Sequence, residues 1–330
     1  MGRRTAGSVV LGLAVVLGVC SFAQSGVIRD DRDPQSYLNL GNSALWESVG
    51  RVDITTSSAS YLASGTLIAP DWVLTAAHVV QGARSLDFTV GGITYPAVGW
   101  VMNSKFTSGN LGAGNDIGLI HLGAPVAGIA PATRYTGSSE LGTTAVAAGF
   151  GMTGTGLTGA TTLDFQKRAG ENTVDAFYPV RRGTPNILLM DFDNPHTAAD
   201  NSYGSSAPLN LEYLIAPGDS GGGLFADFGS GPRLIGVHSF GWGRLDGNPD
   251  SDYGDVSGET RVSVFNSWID NAMSGITGGK KGGPKGAALG LNAAEYEYGF
   301  FDNLTAVPEP GTLILLALAG SALRRKRRAQ

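Results

Sequence analysis

The chain has 330 residues, 42% of them hydrophobic, and a formal net charge of -5, which suits one large or two modest domains with a buried core. Arg3, Arg4 and the cluster Arg324 to Arg328 take seven of the 23 basic residues and leave 16 against 28 acidic ones. An acidic body of this kind excludes nucleic acid as a partner, because phosphate binding needs basic clusters.

The first residues read as an export leader over 1–23. Arg3 and Arg4 precede the apolar run "SVVLGLAVVLGVC", and "SFA" supplies a small-x-small cut site after Ala23, with Ser25 as a second possible site. The single cysteine, Cys20, falls inside this leader, so the exported chain carries no disulfide and must rely on its core, on bound ions, or on both. A lipoprotein cut before Cys20 is the alternative, against which bulky Val19 speaks.

Residues 24–45 are polar and are expected to wrap the surface. From Trp46 onward, short β-rich runs alternate with turns: "SVGRVDIT", "YLASGTLIA", "WVLTAAHVV", "SLDFTV", "DIGLIHL" and "TAVAAGFG". A second series follows in "NILLMDF", "GGLFADF" and "RLIGVHSFGWG". With 50 glycines, this pattern predicts an all-β protein rich in tight turns. "VSVFNSWIDNAM" spaces Val264, Phe265, Trp268, Ile269 and Met273 as one helical face, with Gly275 as the stop. Two β series and a closing C-terminal helix predict two small antiparallel barrels sharing a cleft, over residues 24–276.

Residues 277–306 read as a flexible Gly/Lys-rich linker. They lead to a tail, 307–330, in which Val307-Pro308-Glu309-Pro310, an apolar run from Gly311 to Leu323 and the Arg cluster follow in order. That run is shorter than the roughly 20 residues that span a bilayer as a helix. The tail resembles the PEP-CTERM sorting signal of exported bacterial proteins. The resemblance implies transient membrane association, cleavage near the Pro-Glu-Pro by an exosortase-type enzyme, and a final place outside the cell or on its surface.

Three residues carry the chemistry. "WVLTAAHVV" ends in small residues that let His78 leave the core for a cleft, and "NDIGLIHL" puts Asp116 at a strand start, where a carboxylate can be buried against an imidazole. "IAPGDSGGGLF" sets Ser220 among glycines. Alone, each has a plain structural reading: a core histidine, a turn aspartate, a glycine-rich bend. Their order along the chain is that of the chymotrypsin-type Ser-His-Asp triad. Together with "TRVSVFNSWID", the blocks "LTAAHVV", "NDIGLIHL" and "GDSGGG" make the chain from Trp46 to Met273 resemble a trypsin/chymotrypsin-like serine protease.

The resemblance implies an endopeptidase that needs no cofactor and acts on proteins or peptides. Ser220 is the expected nucleophile, His78 its base, Asp116 the group that orients His78, and the N–H groups of Gly218 and Ser220 the oxyanion donors. It places Leu214 at the floor of the specificity pocket and Ser239, Phe240 and Gly241 beside extended substrate. An apolar floor favours small or medium apolar residues before the cut. The resemblance also implies a cationic partner for buried Asp219, usually a new N-terminal amine; Val27-Ile28 after trimming, a lysine or arginine, or a rearranged loop could serve. His238 reads as a packing residue. No metal is expected: "LDGNPDSDYGD" and "DFDNPHTAADN" have the oxygen density of calcium loops, but the first lacks the expected sixth-place glycine and late glutamate and reads as a solvated turn. The rival readings are an inactive surface or matrix binding protein on the same fold, and an esterase.

Overall fold

The structure is a computed structural model that describes residues 26–179 and 184–277. The leader, nearly all of the linker and the sorting tail lie outside the described residues. The chain starts with β1 (Gly26–Ile28) and α1 (Pro34–Gly41), the latter capped by Asp33, whose side chain accepts from the Gln35 N–H. Then come β2 (Val49–Thr55), β3 (Ser60–Ala69), β4 (Trp72–Thr75), the single turn α2 (Ala77–Val80), β5 (Ser85–Val90), β6 (Ile93–Met102) and β7 (Gly118–Leu122). Strands β2 to β7 close into a barrel in the order β2-β3-β4-β7-β6-β5. Alternation drives the closure: Leu86, Phe88 and Val90 of β5 face inward beside Val52 and Ile54 of β2. Each such side chain contributes on the order of 1.5–3 kcal/mol by leaving water.

The second half holds β8 (Thr144–Gly149), β9 (Thr153–Thr155), β10 (Gly159–Thr162), β11 (Arg168–Thr173), β12 (Ala176–Tyr178), β13 (Ile187–Asp191), β14 (Tyr213–Leu214), β15 (Gly223–Asp227), β16 (Pro232–Trp242), β17 (Val256–Arg261) and α3 (Val262–Thr277). Among the described residues these form a seven-stranded sheet, β11-β8-β15-β16-β17-β13-β12, and a four-stranded one, β10-β9-β1-β14. The all-β expectation holds. The first β series closes on itself, while the second is built as two sheets.

The described part of residues 24–45 does not simply wrap the surface, as its polarity suggested. Val27 and Ile28 are 0% exposed and β1 is a member of the four-stranded sheet, pairing with β14 and β9. Tyr37 on α1 is buried as well and donates from its hydroxyl to the Glu212 carbonyl. The polar residues between these anchors gave the segment its surface-like composition. The closing helix is also longer than expected: α3 runs through Gly275 to Thr277. Phe265 and Ile269 enter the core as the spacing requires, but Val264 faces solvent. Among the described residues no helix is long and apolar enough to cross a membrane.

One apolar cluster joins the halves. It runs from barrel residues such as Leu74, Ile117 and Leu119 to Phe225, Leu234 and Val237 of the second half, then to Phe265 and Ile269 of α3. The seam is therefore a packed core that fixes one half against the other.

Candidate active site

His78 sits on α2 immediately after β4, where Ala76 and Ala77 are wholly buried and keep the turn tight against Gly118 of β7. Asp116 stands two residues before β7 and is 0% exposed. The His78 backbone N–H donates to Asp116 Oδ1 at 2.9 Å, and His78 Nδ1 lies 2.6 Å from Asp116 Oδ2. Ser239 Oγ, on β16 of the second half, donates to the same Oδ2 at 2.6 Å. Thr260 on β17 donates to the Asp116 carbonyl at 2.8 Å. A buried carboxylate is costly unless several donors surround it, and these donors come from both halves. Where Asp116 Oδ2 accepts from the imidazole, the proton sits on His78 Nδ1 and Nε2 is left as the acceptor. The imidazole is 24% exposed, so its outer edge reaches the cleft.

Ser220 lies in the turn that leads into β15 and is 5% exposed. Its carbonyl accepts from the Ser64 N–H at 2.9 Å, and Ser64 Oγ donates to the Gly218 carbonyl at 3.0 Å. Phe150 N–H donates in turn to Ser64 Oγ, and Thr75 Oγ1 to the Ser64 carbonyl. Ser64 thus ties the turn to the first barrel. The Asp219 carbonyl accepts from the Gly222 N–H, so the Ser220 N–H of that trans peptide points the opposite way. Gly218 takes φ +98, open to glycine. A side chain at Gly221 would start 2.0 Å from Thr75 Oγ1 and 2.4 Å from the Ser64 carbonyl. No side chain fits there.

Against this frame, a family model described as Trypsin matches residues 43–269. The chain belongs to the trypsin family of serine endopeptidases. A second model, the PEP-CTERM protein-sorting motif, matches residues 306–328. The chain is 27% identical over 232 residues to brachyurin of Leptuca pugilator, covering 66% of this chain and 89% of that protein. It is 32% identical over 141 residues to chymotrypsin of Phaedon cochleariae, a match to 37% of this chain that spans half the length of that relative. Among solved structures, HL collagenase aligns with TM-score 0.50 at 22% identity over 70% of this chain and 95% of its own. Mouse neuropsin aligns with TM-score 0.51 at 18% identity, over 71% and 96%. These two likenesses speak for the trypsin-family fold.

His238 and the two acidic stretches differ from the sequence expectation. His238 is more than a packing residue: it is fully buried, and its Nδ1 lies 2.6 Å from Glu259 Oε2 on the paired strand. Burial opposes its charge, but Glu259 and then Asp219 outweigh that and hold His238 above an ordinary histidine. Leu214 is 1% exposed and packs with Val27, Phe192, Ala216 and Tyr253. Phe240 lies across Gly258, where an added Cβ would meet its ring at 2.2 Å. Gly241 is open, its nearest neighbour being Pro249 at 3.9 Å. The stretch from Asp246 to Asp255 is not a wholly solvated turn. Asp255 is 2% exposed, gathers with Asp250 and Asp252 within 4.8 Å, and burial pushes its carboxyl up to about 8. Nor is Asp191 to Asn201 an open acidic loop: Asp191 and Asp193 are buried, and the Asp193 N–H donates to Glu212 Oε1 at 3.0 Å.

Sequence reasoning missed Ser64 and Glu259. Nothing in "ASG" or "SGET" marks them, since their partners stand 154 and 21 residues away.

Proposed function

We propose that this protein is an exported serine endopeptidase in which Ser220 attacks the peptide carbonyl, His78 takes its proton and Asp116 orients His78. The observation that carries the reading is the wholly buried Asp116 carboxylate, held by donors from His78 and Ser239 so that the imidazole proton stays on Nδ1. A serine hydroxyl is a poor nucleophile at neutral pH and needs an acceptor such as His78 Nε2. After attack, the same nitrogen returns the proton to the leaving amine, and water hydrolyses the acyl-enzyme by the same route. The developing oxyanion is received by the N–H groups of Gly218 and Ser220, whose turn is clamped before substrate arrives. A preformed clamp of this kind costs no reorganisation in the transition state.

Substrate is protein or peptide, laid beside Ser239, Phe240 and Gly241, with Leu214 and its apolar neighbours setting the residue before the cut. No unpaired carboxylate in that set invites a lysine or arginine, and a buried cation without a partner is costly. Digestion of a peptide library with mass-spectrometric readout tests both points together. The expected result is internal cleavage after Ala, Val or Leu-like residues; hydrolysis of small esters alone would support an esterase, and dominant cleavage after Lys or Arg would point to the acidic residues from Asp246 to Asp255.

We assign the leader to 1–23, the protease unit to 24–276, the linker to 277–306 and the sorting tail to 307–330. The tail is too short to hold stably in a bilayer, so an exosortase-type enzyme cuts it near Pro308 to Pro310 and releases the protease to the surface or the medium. Intact mass of the exported protein is expected to lack Arg324 to Arg328. A mass that retains them overturns the processing step.

A further inference from the structure

Ser64 belongs to β3 of the first barrel and is 0% exposed, yet its side chain bonds only to the second half. Its Oγ accepts from the Phe150 N–H at 2.9 Å and donates to the Gly218 carbonyl at 3.0 Å. A hydroxyl has one proton to give and lone pairs to receive. One atom therefore joins the loop after β8 to the turn before Ser220. Those two segments also meet directly. The Met152 N–H donates to the Pro217 carbonyl at 2.6 Å, and a Cβ at Gly218 would start 2.9 Å from Gly151 Cα.

These bonds decide where the proposed oxyanion donors point. Pro217–Gly218 is a trans peptide, so with its carbonyl turned to Met152 the Gly218 N–H points the opposite way. The next peptide, Gly218–Asp219, is held through its carbonyl by Ser64 Oγ and through its N–H by the Ala216 carbonyl. Gly218 supplies no restraint of its own: it has no side chain, and at φ +98 it sits where glycine turns freely. Its orientation comes from the hydrogen bonds of the peptides on either side. Among the described residues, Ser64 Oγ is the one donor to the buried Gly218 carbonyl. Without it, that carbonyl and the Phe150 N–H lose their partners together, and an unpaired buried group is costly. Gly218 would turn to recover one, carrying its N–H with it.

We propose that Ser64 is a positioning residue for the reaction: its hydroxyl, bridging the Phe150 N–H and the Gly218 carbonyl, aims the Gly218 N–H at the oxyanion. The inference rests on the protease reading above. It gives the barrel that carries His78 and Asp116 a part in shaping the donors of the second half. The Ser64 backbone acts separately, through its N–H to the Ser220 carbonyl and its own carbonyl to Thr75 Oγ1, each at 2.9 Å. A change of side chain leaves both of those bonds in place.

The test compares wild type, Ser64→Ala and Ser64→Cys, each as the full exported protein, with thermal melts to check that the fold is held. Alanine removes both side-chain bonds, and cysteine nearly keeps the volume but offers only a weak donor and acceptor. Ser64→Ala is expected to lower kcat by about tenfold to a hundredfold on a peptide from the library digest, with KM changed by less than about threefold. Affinity for a peptide boronic acid, whose tetrahedral adduct on Ser220 presents an oxygen to the same donors, is expected to fall by a similar factor. The midpoint of the pH profile of kcat/KM is expected to stay in place, because His78 and Asp116 keep their contacts. Ser64→Cys is expected to lie between the two, and carries the test alone if the alanine variant does not fold. Unchanged kcat in a folded variant, a kcat loss with boronate affinity intact, or a moved pH midpoint overturns the inference and leaves the protease reading standing. Absence of fluorophosphonate labelling in the wild type would sink the protease reading itself and take this inference with it.

Discussion

Ser220→Ala is expected to abolish fluorophosphonate labelling and to lower peptide hydrolysis by about 10⁶-fold, while the thermal midpoint stays near that of the wild type. The contacts that shape the turn explain why activity and fold separate. Ser220 is held through its carbonyl by the Ser64 N–H, its neighbour Gly218 by Ser64 Oγ, and the turn closes through Asp219 and Gly222. Alanine keeps every one of those backbone bonds. It removes the oxygen that becomes bonded to the probe's phosphorus, so labelling is lost outright. Residual hydrolysis of about 10³-fold over water is expected from the oxyanion donors and bound-substrate geometry that remain. Retained labelling would place the nucleophile elsewhere and end the assignment.

The parts of this site that could be read from the sequence are those whose chemistry is local. "LTAAHVV", "NDIGLIHL" and "GDSGGG" each pair a reactive residue with small neighbours that permit its placement, and chain order does the rest. Residues that act across the fold left no such mark. Ser64 clamps the nucleophile turn from β3 only because the register of β3 and β4 brings Thr75 against it. Glu259 meets His238 only because β16 and β17 pair in the register observed, with a shift between His238 and Phe240. Strand β6 was not among the predicted runs: "ITYPAVGWVM" contains Pro96 and breaks alternation at Ala97–Gly99, where the ladder slips its register. The burial of Val27 and Ile28 was hidden for a related reason. Three residues are too short a run to read as a strand, and their partners at Tyr213 and Leu214 lie far along the chain.

Asp116→Asn is expected to lower kcat by about 10⁴-fold, near 5.4 kcal/mol at the transition state, with KM little changed. The geometry leaves asparagine no good orientation. Oδ1 of Asp116 receives the His78 backbone N–H, while Oδ2 receives both His78 Nδ1 and Ser239 Oγ. If the amide nitrogen takes the Oδ2 place, it donates toward His78 Nδ1, which must then accept. The imidazole proton moves to Nε2, and His78 can no longer take a proton from Ser220. If the amide is turned the other way, its nitrogen faces the His78 backbone N–H, and a buried donor-donor contact displaces the α2 turn. Either outcome disables the base while leaving the proposed substrate-binding residues Leu214 and Gly241 untouched, which is why the loss is expected on turnover. The size differs from that of Ser220→Ala because the nucleophile survives here, the oxyanion donors being kept in both variants. Steady-state kinetics on a peptide identified in the library digest measures the effect. Turnover within about tenfold of the wild type would show that another group fixes the His78 tautomer, and would remove Asp116 from the mechanism.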